Sequence, residues 1–221
     1  MKNAVIIVAG GKGSRMGTSI PKQFLEIAGK PVILHTMEKF LSFDPEIEMI
    51  LVINQDYIQI WDQLFHNYKL SNKIKIASGG ETRFHSVKNG LMLLEGDFLV
   101  GIHDAVRPLI SVETIRNIYK HAAIHGNAIP VVPVRESVRE VQVSGSKMLD
   151  RTVLRLIQTP QVFRYPILKK AYDTDFMPEF TDDARVVEKS GVKIHLVDGD
   201  IYNFKITTPE DIKIAQGLLK E

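Results

Sequence analysis

Val5-Ile6-Ile7-Val8-Ala9-Gly10-Gly11-Lys12-Gly13-Ser14-Arg15-Met16-Gly17, closed by Pro21-Lys22-Gln23, is the stretch from which the architecture can be read. An apolar run suited to a buried strand passes without a break into glycines and then into cations. Glycine permits backbone conformations and close approaches that side chains forbid. A turn of successive free N–H groups ringed by Lys and Arg is a way to cradle phosphates. The other reading is a surface loop after a buried strand, and the rest of the chain has to separate the two.

Downstream, strand-like runs alternate with helical patterns. Pro31 to Phe43 carries Ile33, Leu34, Met37, Phe40 and Leu41 at helical spacing, and Met49 to Ile53 reads as a buried strand. Tyr57 to Tyr68 predicts a helix, Ile74 to Ala77 a third strand, and the region from about Thr82 a further helix with Val87, Leu91 and Leu94 inward. Phe98 to Ile102 is a fourth strand ending in His103-Asp104. Ser111 is a candidate N-cap for a helix to about His125, and Ala128 to Val134 is a fifth strand. Such alternation predicts an α/β fold, a Rossmann-like, mostly parallel sheet flanked by helices. Ligands bind beyond the carboxyl ends of such strands. Gly10 to Lys22, Ser78 to Arg83 and His103 to Pro108 all follow predicted strands, so three polar loops are expected to converge on one crevice.

The pattern breaks at Val138 to Leu149, which alternates around Ser144-Gly145-Ser146 and predicts a β-hairpin. A lone hairpin is marginal in water, so this arm, spanning 137–151, is expected to pack on something, with a second subunit the natural candidate. Helices near Pro166 to Tyr172 and Asp182 to Ser190, a strand at Lys193 to Val197, and a last helix opened by Thr208-Pro209-Glu210-Asp211 complete a single domain over residues 1–221.

Composition narrows the chemistry. The chain has 221 residues, 44% of them hydrophobic, and a net charge of +2, so no general nucleic-acid or membrane surface is expected. With Cys 0, there is no disulfide, thiolate metal site or Cys nucleophile. The start directly into a strand, and the lack of an apolar run of membrane-spanning length, predict a cytoplasmic protein.

The opening loop fails two familiar templates. Counted from Gly11, the third glycine of a dinucleotide fingerprint arrives one place late at Gly17, and Asn54-Gln55 stand where a ribose-binding acid would follow the second strand. Gly13-Ser14-Arg15 does not close a Walker loop. What remains is a glycine turn followed by Arg15 and Lys22, suited to a triphosphate. Asp104 is the candidate Mg²⁺ ligand, or else a cap of the following turn. His103 has no Ser or Cys nucleophile motif beside it and reads as structural. Lys205, within Asn203-Phe204-Lys205-Ile206-Thr207, either points inward from a short strand or is solvated. Asp198-Gly199-Asp200 and Asp173-Thr174-Asp175 resemble metal-binding D-x-D pairs, but turn chemistry accounts for them. Arg135, Arg139, Arg151 and Arg155 cluster around the hairpin, to bind an anion or to solvate the arm.

Taken together, these segments resemble the cytidylyltransferases of small polyol phosphates, in particular the 2-C-methyl-D-erythritol 4-phosphate cytidylyltransferase family. The resemblance rests on Ala9 to Met16, Pro21-Lys22-Gln23, Gly79 to Arg83 with Ser86, His103 to Pro108, Pro133-Val134-Arg135, Asp150-Arg151, Gln158 to Gln161, Thr181 to Ala184, and Asn203 to Thr207. Any one is weak; in this order they are specific. The resemblance implies transfer of a cytidylyl group from CTP to the polyol phosphate with release of pyrophosphate, a step of the non-mevalonate isoprenoid pathway. It implies that Val8, Ala9, Gly10, Gly11 and Gly13 hold CTP, with Gly80, Glu81 and Ser86 on the cytosine side. Arg15, Lys22 and Lys205 would carry phosphate charge as catalytic residues, and Asp104 would ligate Mg²⁺. Arg107 and Thr181 would line the polyol phosphate site. Ser137 and Arg151 would reach across a homodimer to the partner's substrate. Ala-Gly-Gly at the loop, Val106, Ser137 and Thr208 depart from the family's usual residues, and the Ala-Gly-Gly form also occurs in ribitol-5-phosphate enzymes. Two other classes stay open: a nicotinamide-dependent dehydrogenase, against which the loop spacing argues, and a non-catalytic nucleotide-binding regulator.

Overall fold

A computed structural model describes residues 1–11, 20–68 and 74–219. Strand β1 (Lys2–Ala9) lies inside an eight-stranded sheet, between β4 (Glu48–Ile53) and β6 (Phe98–Asp104), parallel to both. Beyond β4, β5 (Ile74–Ser78) is also parallel. Side chains alternate across β1. Val5, Ile7 and Ala9 face a core shared with helices α1 (Val32–Phe43), α2 (Ile58–Asn67) and α4 (Val112–His125). Ala4 and Ile6 face the opposite core, shared with α3 (Arg83–Leu91), α5 (Tyr165–Ala171) and α6 (Asp183–Lys189). Val5, Ile6 and Ile7 are all 0% exposed. A continuous apolar run is therefore required, because both faces of the strand are covered. Burying each such side chain contributes about 1.5–3 kcal/mol. The mostly parallel, helix-flanked sheet expected from the alternation is what forms.

The far side of the sheet holds two strands, at 155–157 and 161–164, that the periodicity did not reveal, and one at 196–198 that overlaps the strand expected at Lys193 to Val197. Strand β11 (Gln161–Arg164) runs antiparallel between β6 and β7 (Asn127–Pro133). Strand β10 (Arg155–Ile157) pairs antiparallel with β7, and β12 (Leu196–Asp198) pairs parallel with it. At three and four residues, β10 and β11 are too short to show a period against their polar neighbours. The hairpin is present as β8 (Val138–Gln142) and β9 (Gly145–Leu149), with Val138 opposite Leu149. Its turn falls at residues 143–144, and Gly145 (φ 141°) opens β9, a conformation that other residues rarely adopt. Most of the arm is exposed, with Val141 at 83% and Met148 at 68%.

A short hairpin of β2 (Glu26–Ile27) and β3 (Lys30–Pro31) follows the opening loop. The last helix, α7 (Pro209–Leu218), has the predicted capping box: Thr208 accepts from the Asp211 N–H, and the Asp211 carboxylate accepts from the Thr208 N–H. Ile27, Val32, Val106, Ile206 and Ala215 form a third, smaller core. It seats α7 and the segment before it against the loop after β6. Among the described residues, no helix is long and apolar enough to cross a membrane.

Candidate active site

The carboxyl ends of β1, β4, β5 and β6 open onto a cleft of about 580 Å³. Val8, Ala9, Gly10, Gly11, Lys22, Gly80, Glu81, Ser86, Asp104 and Lys205 line it, together with Gln23, Asn54, Thr82, Arg83, Ala105, Val106 and Thr207. Gly13 and Arg15 lie outside the described residues.

The loops are tied to one another as well as to their strands. Gln23 is 2% exposed, and its Nε2 donates to the Ala9 carbonyl at 2.8 Å, anchoring the far end of the opening loop to the end of β1. A Cβ on Gly10 would lie 3.3 Å from Ser86 Oγ and 3.7 Å from Gly79 Cα, so the loops after β1 and β5 nearly touch. At Gly80 a Cβ would sit 2.4 Å from His85 Cβ, which no ordinary side chain tolerates. Ser86 Oγ accepts from the Gly80 N–H and donates to the Thr82 carbonyl, both at 3.0 Å. It holds the Gly79–Glu81 turn over the N-terminus of α3, which Thr82 caps.

Asp104, the last residue of β6, is the electrostatic centre. It is 7% exposed, with Lys205 Nζ and Arg107 Nε each 3.1 Å from Oδ2 and Arg83 Nε 3.8 Å from Oδ1. Burial alone would raise its pKa, but Lys205, Arg83 and Arg107 outweigh it and hold the carboxyl well below the usual carboxylate range. Asp104 is therefore ionised at any physiological pH. His103 beside it is fully buried, and burial lowers its pKa to about 3. Its Nδ1 meets Thr159 Oγ1 at 3.1 Å, and its ring packs edge-on against Phe40. It is a neutral packing residue outside the cleft lining.

Lys205 does not lie on a strand. Residues 203–207 form an irregular segment pinned from several sides, and these bonds replace a sheet ladder. Arg107 donates to the Asn203 carbonyl at 2.8 Å, the Ile206 N–H to the Val106 carbonyl at 2.9 Å, and Lys22 Nζ to the Ile206 carbonyl at 2.9 Å. Lys22 and Lys205 thereby converge on one wall. The Gln158-Thr159-Pro160-Gln161 stretch acts as scaffold. Thr159 Oγ1 accepts from the Asp104 N–H, and Gln161 donates to Asp182 and accepts from the Ala184 N–H. Gln158 binds the backbone of Asp200, just beyond the end of β12 at Asp198, so the Asp198-Gly199-Asp200 stretch is a strand exit held by scaffold bonds.

Arg107 is 9% exposed and sits behind Asp104, outside the cleft lining. Thr181 is exposed at the start of the turn that leads to Asp183. Ser137 and Arg151 flank the hairpin arm, exposed and outside the cleft lining, and Arg151 donates to the Arg135 carbonyl. Arg83 closes the Gly79 to Arg83 motif, and its role emerges only in the folded chain. Its guanidinium makes a two-pronged pair with Asp183 at 2.8 and 2.7 Å, and the Tyr172 hydroxyl donates to the same carboxylate at 2.6 Å. The chain thus runs from Tyr172 through Asp183 and Arg83 to Asp104. Nothing local signals it, because Arg83 and Asp183 are 100 positions apart.

Comparison with known proteins extends the site to the whole chain. A family model described as 2-C-methyl-D-erythritol 4-phosphate cytidylyltransferase matches residues 3–221. The protein of that name from Bacteroides thetaiotaomicron is 51% identical over 219 residues, covering 99% of this chain and 100% of the relative. Among solved structures, 4-diphosphocytidyl-2C-methyl-D-erythritol synthase from Anaerococcus prevotii superposes with a TM-score of 0.84 at 28% identity, covering 100% of this chain and 96% of that one. The Francisella tularensis 2-C-methyl-D-erythritol 4-phosphate cytidylyltransferase gives 0.83 at 31% identity, covering 98% and 99%. Sequence and fold agree from end to end, over the cleft and the arm alike, and the chain belongs to the 2-C-methyl-D-erythritol 4-phosphate cytidylyltransferase family.

Proposed function

We propose that this protein transfers the cytidylyl group of CTP to 2-C-methyl-D-erythritol 4-phosphate, releasing pyrophosphate and forming 4-diphosphocytidyl-2-C-methyl-D-erythritol in the non-mevalonate route to isoprenoids. The observation that carries the reading is an ionised Asp104 beside Lys205 and near Arg83, in a cleft walled by glycine turns. It occurs in a chain that matches the family over its full length.

The acceptor's phosphate oxygen attacks the α-phosphorus of CTP. The bond from that phosphorus to the bridging oxygen of the β-phosphate breaks, and pyrophosphate leaves with the electron pair. An ionised phosphate needs no general base, so the protein's task is positioning and charge stabilisation. Val8 to Gly11 present backbone to the nucleotide, with Gly13 and Arg15 continuing the same loop. The Gly80-Glu81 turn, held in shape by Ser86, receives the cytosine. Lys22 and Lys205 bring ammonium groups to the wall where charge grows as the α-phosphorus becomes five-coordinate.

A divalent cation fits here. Mg²⁺ takes one or two carboxylates and completes its shell with phosphate oxygens and water. Asp104 lines the cleft and is ionised, and among the described residues Arg83 approaches its Oδ1 no nearer than 3.8 Å. Bound there, Mg²⁺ would neutralise phosphate oxygens. Arg107 orients Asp104 and, with Thr181, belongs to the polyol phosphate side. Ser137 and Arg151 serve the partner's site in a homodimer formed through the 137–151 arm. The whole of 1–221 acts as one nucleotidyltransferase domain in the cytoplasm, with no nucleic-acid or membrane partner.

The test is pyrophosphate release with CTP and Mg²⁺, comparing 2-C-methyl-D-erythritol 4-phosphate with ribitol 5-phosphate. Preference for ribitol 5-phosphate would overturn the acceptor and keep the chemistry. No release with either would favour a non-catalytic nucleotide binder.

A further inference from the structure

His121 and His125 are one helical turn apart on α4, and residues four apart share a helix face. His195, the residue that leads into β12, meets them from the facing segment. The three imidazoles form a stack: centroids are 3.8 Å apart for His125 and His195, 5.7 Å for His121 and His195, and 5.8 Å for His121 and His125. One nitrogen from each ring lies within 4.8 Å of the others. We propose that these side chains form a binding site for a borderline divalent transition-metal ion of the zinc class, separate from the nucleotide cleft.

Three observations carry this. First, the donor set is all imidazole. Such ligands suit Zn²⁺, Ni²⁺ or Cu²⁺ and are poor for Mg²⁺, which takes oxygen. Second, His121 Nδ1 is buried and has no hydrogen-bond partner among the described residues. A buried polar atom without a partner is costly, and coordination would satisfy it. Third, the backbone beneath the rings is fixed. The His195 N–H donates to Asn127 Oδ1 at 2.8 Å, and the His195 carbonyl accepts from the Ile129 N–H at 2.9 Å. Tetrahedral zinc with bonds of about 2.0–2.1 Å needs ligand nitrogens about 3.4 Å apart. Rotation about the side-chain torsions closes the remaining gap, fanning the stacked planes around the ion. His125 is exposed, so water can complete the coordination. Lys193, two positions before His195, is the opposing charge a cation must tolerate.

The site is remote from the chemistry. Strand β12 is parallel to β7, and β7 and β6 are both antiparallel to β11. The amino end of β12 therefore lies at the opposite edge of the sheet from the carboxyl end of β6, where Asp104 sits. A bound ion would clamp the last turn of α4 to β12 without touching the cleft.

The experiment is Zn²⁺ titration of the full chain, free of any histidine tag, by calorimetry in saturating Mg²⁺ so that oxygen sites are occupied. The His125→Ala and His195→Gln variants are titrated alongside, with imidazole NMR signals recorded. The expected result is one Zn²⁺ per chain that perturbs all three ring signals and raises Tm. Affinity should fall at least about 10–100-fold in either variant, since even the loss of an outer-shell partner costs that much. Exposed His125 ends its helix, so His125→Ala keeps the fold if His195→Gln does not. The absence of Zn²⁺ binding to the wild type, or an isotherm unchanged in His125→Ala, would overturn the proposal.

Discussion

Replacing Asp183 by Asn removes one charge from a carboxylate that is 0% exposed and hardly alters its shape. In the native protein Oδ1 accepts from Arg83 and Tyr172, and Oδ2 accepts from the second guanidinium nitrogen. Asn can keep the acceptor at Oδ1, but it presents an NH₂ to that second nitrogen, donor against donor. One charge-assisted bond, worth about 1.5–3 kcal/mol, is lost outright. Among the described residues, the Arg83 charge then keeps Asp104 alone as an anionic partner, at 3.8 Å. Breaking a buried pair from one side typically costs about 3–5 kcal/mol. Arg83 is 26% exposed, so water softens the loss and the lower end applies, about 3 kcal/mol. For a chain of this size that is a fall in Tm of about 6–12 °C. Urea unfolding followed by circular dichroism, with thermal melts in parallel, measures it. Tyr172→Phe, which removes one donor and leaves the ion pair whole, should cost distinctly less. A loss below about 1 kcal/mol in Asp183→Asn would refute the reasoning, since exposed ion pairs behave that way.

Other outcomes follow from the same geometry. Lys22→Ala and Lys205→Ala should each lower kcat/KM by about 10²–10³ in pyrophosphate-release assays. Lys205 is 39% exposed, so its variant should melt close to the wild type; near-full activity in either would remove that lysine from the mechanism. Gly80→Ala must displace His85, whose Cβ would be 2.4 Å from the new methyl. It should destabilise the protein by about 1–3 kcal/mol and raise KM for CTP, whereas an unchanged KM would detach the turn from nucleotide binding. Burial pushes the Asp211 pKa up, but hydrogen bonds from Thr207 and Thr208 outweigh it and leave the pKa lowered. Its contribution is complete above the unfolded value near 3.9 and is lost as pH falls below it. Backbone NMR shifts of α7 should therefore move toward coil below about pH 4 in the wild type and show no such step in Asp211→Asn.

The parallel half of the sheet was legible because β1, β4 and β6 are buried on both faces and each parallel strand is followed by a helix with its own period, while the edge strand β5 shows as a short apolar run. Strand β11 was not legible: its four residues sit between scaffold side chains, and it inserts between β6 and β7 against the direction of both. The cleft residues could be located because glycine turns and lone charges follow strands. Arg83 was within reach as a motif member, but its meaning depends on Asp183 and Tyr172, which only the folded chain brings near. Lys205 was placed on a strand because Phe204 and Ile206 flank it with apolar residues. In the structure Ile206 packs under α7, while backbone and side-chain bonds hold the segment in place without a sheet ladder. The three histidines span residues 121 to 195 and lie across two elements, so no local pattern links them.

The pairing of Pro133 with Arg155 bears on the arm's origin. Because β7 and β10 are antiparallel neighbours, everything between them is, in topological terms, the tip of one long hairpin. The entropy of closing such a tip grows only slowly, by about 0.6 kcal/mol per doubling of its length. Residues 134–154 can therefore lengthen, shorten or change their apolar face with little effect on the sheet that supports them. Evolution can revise how this chain meets a neighbour while leaving the frame of the cleft intact, and a short turn in place of the arm would convert one problem into the other's control.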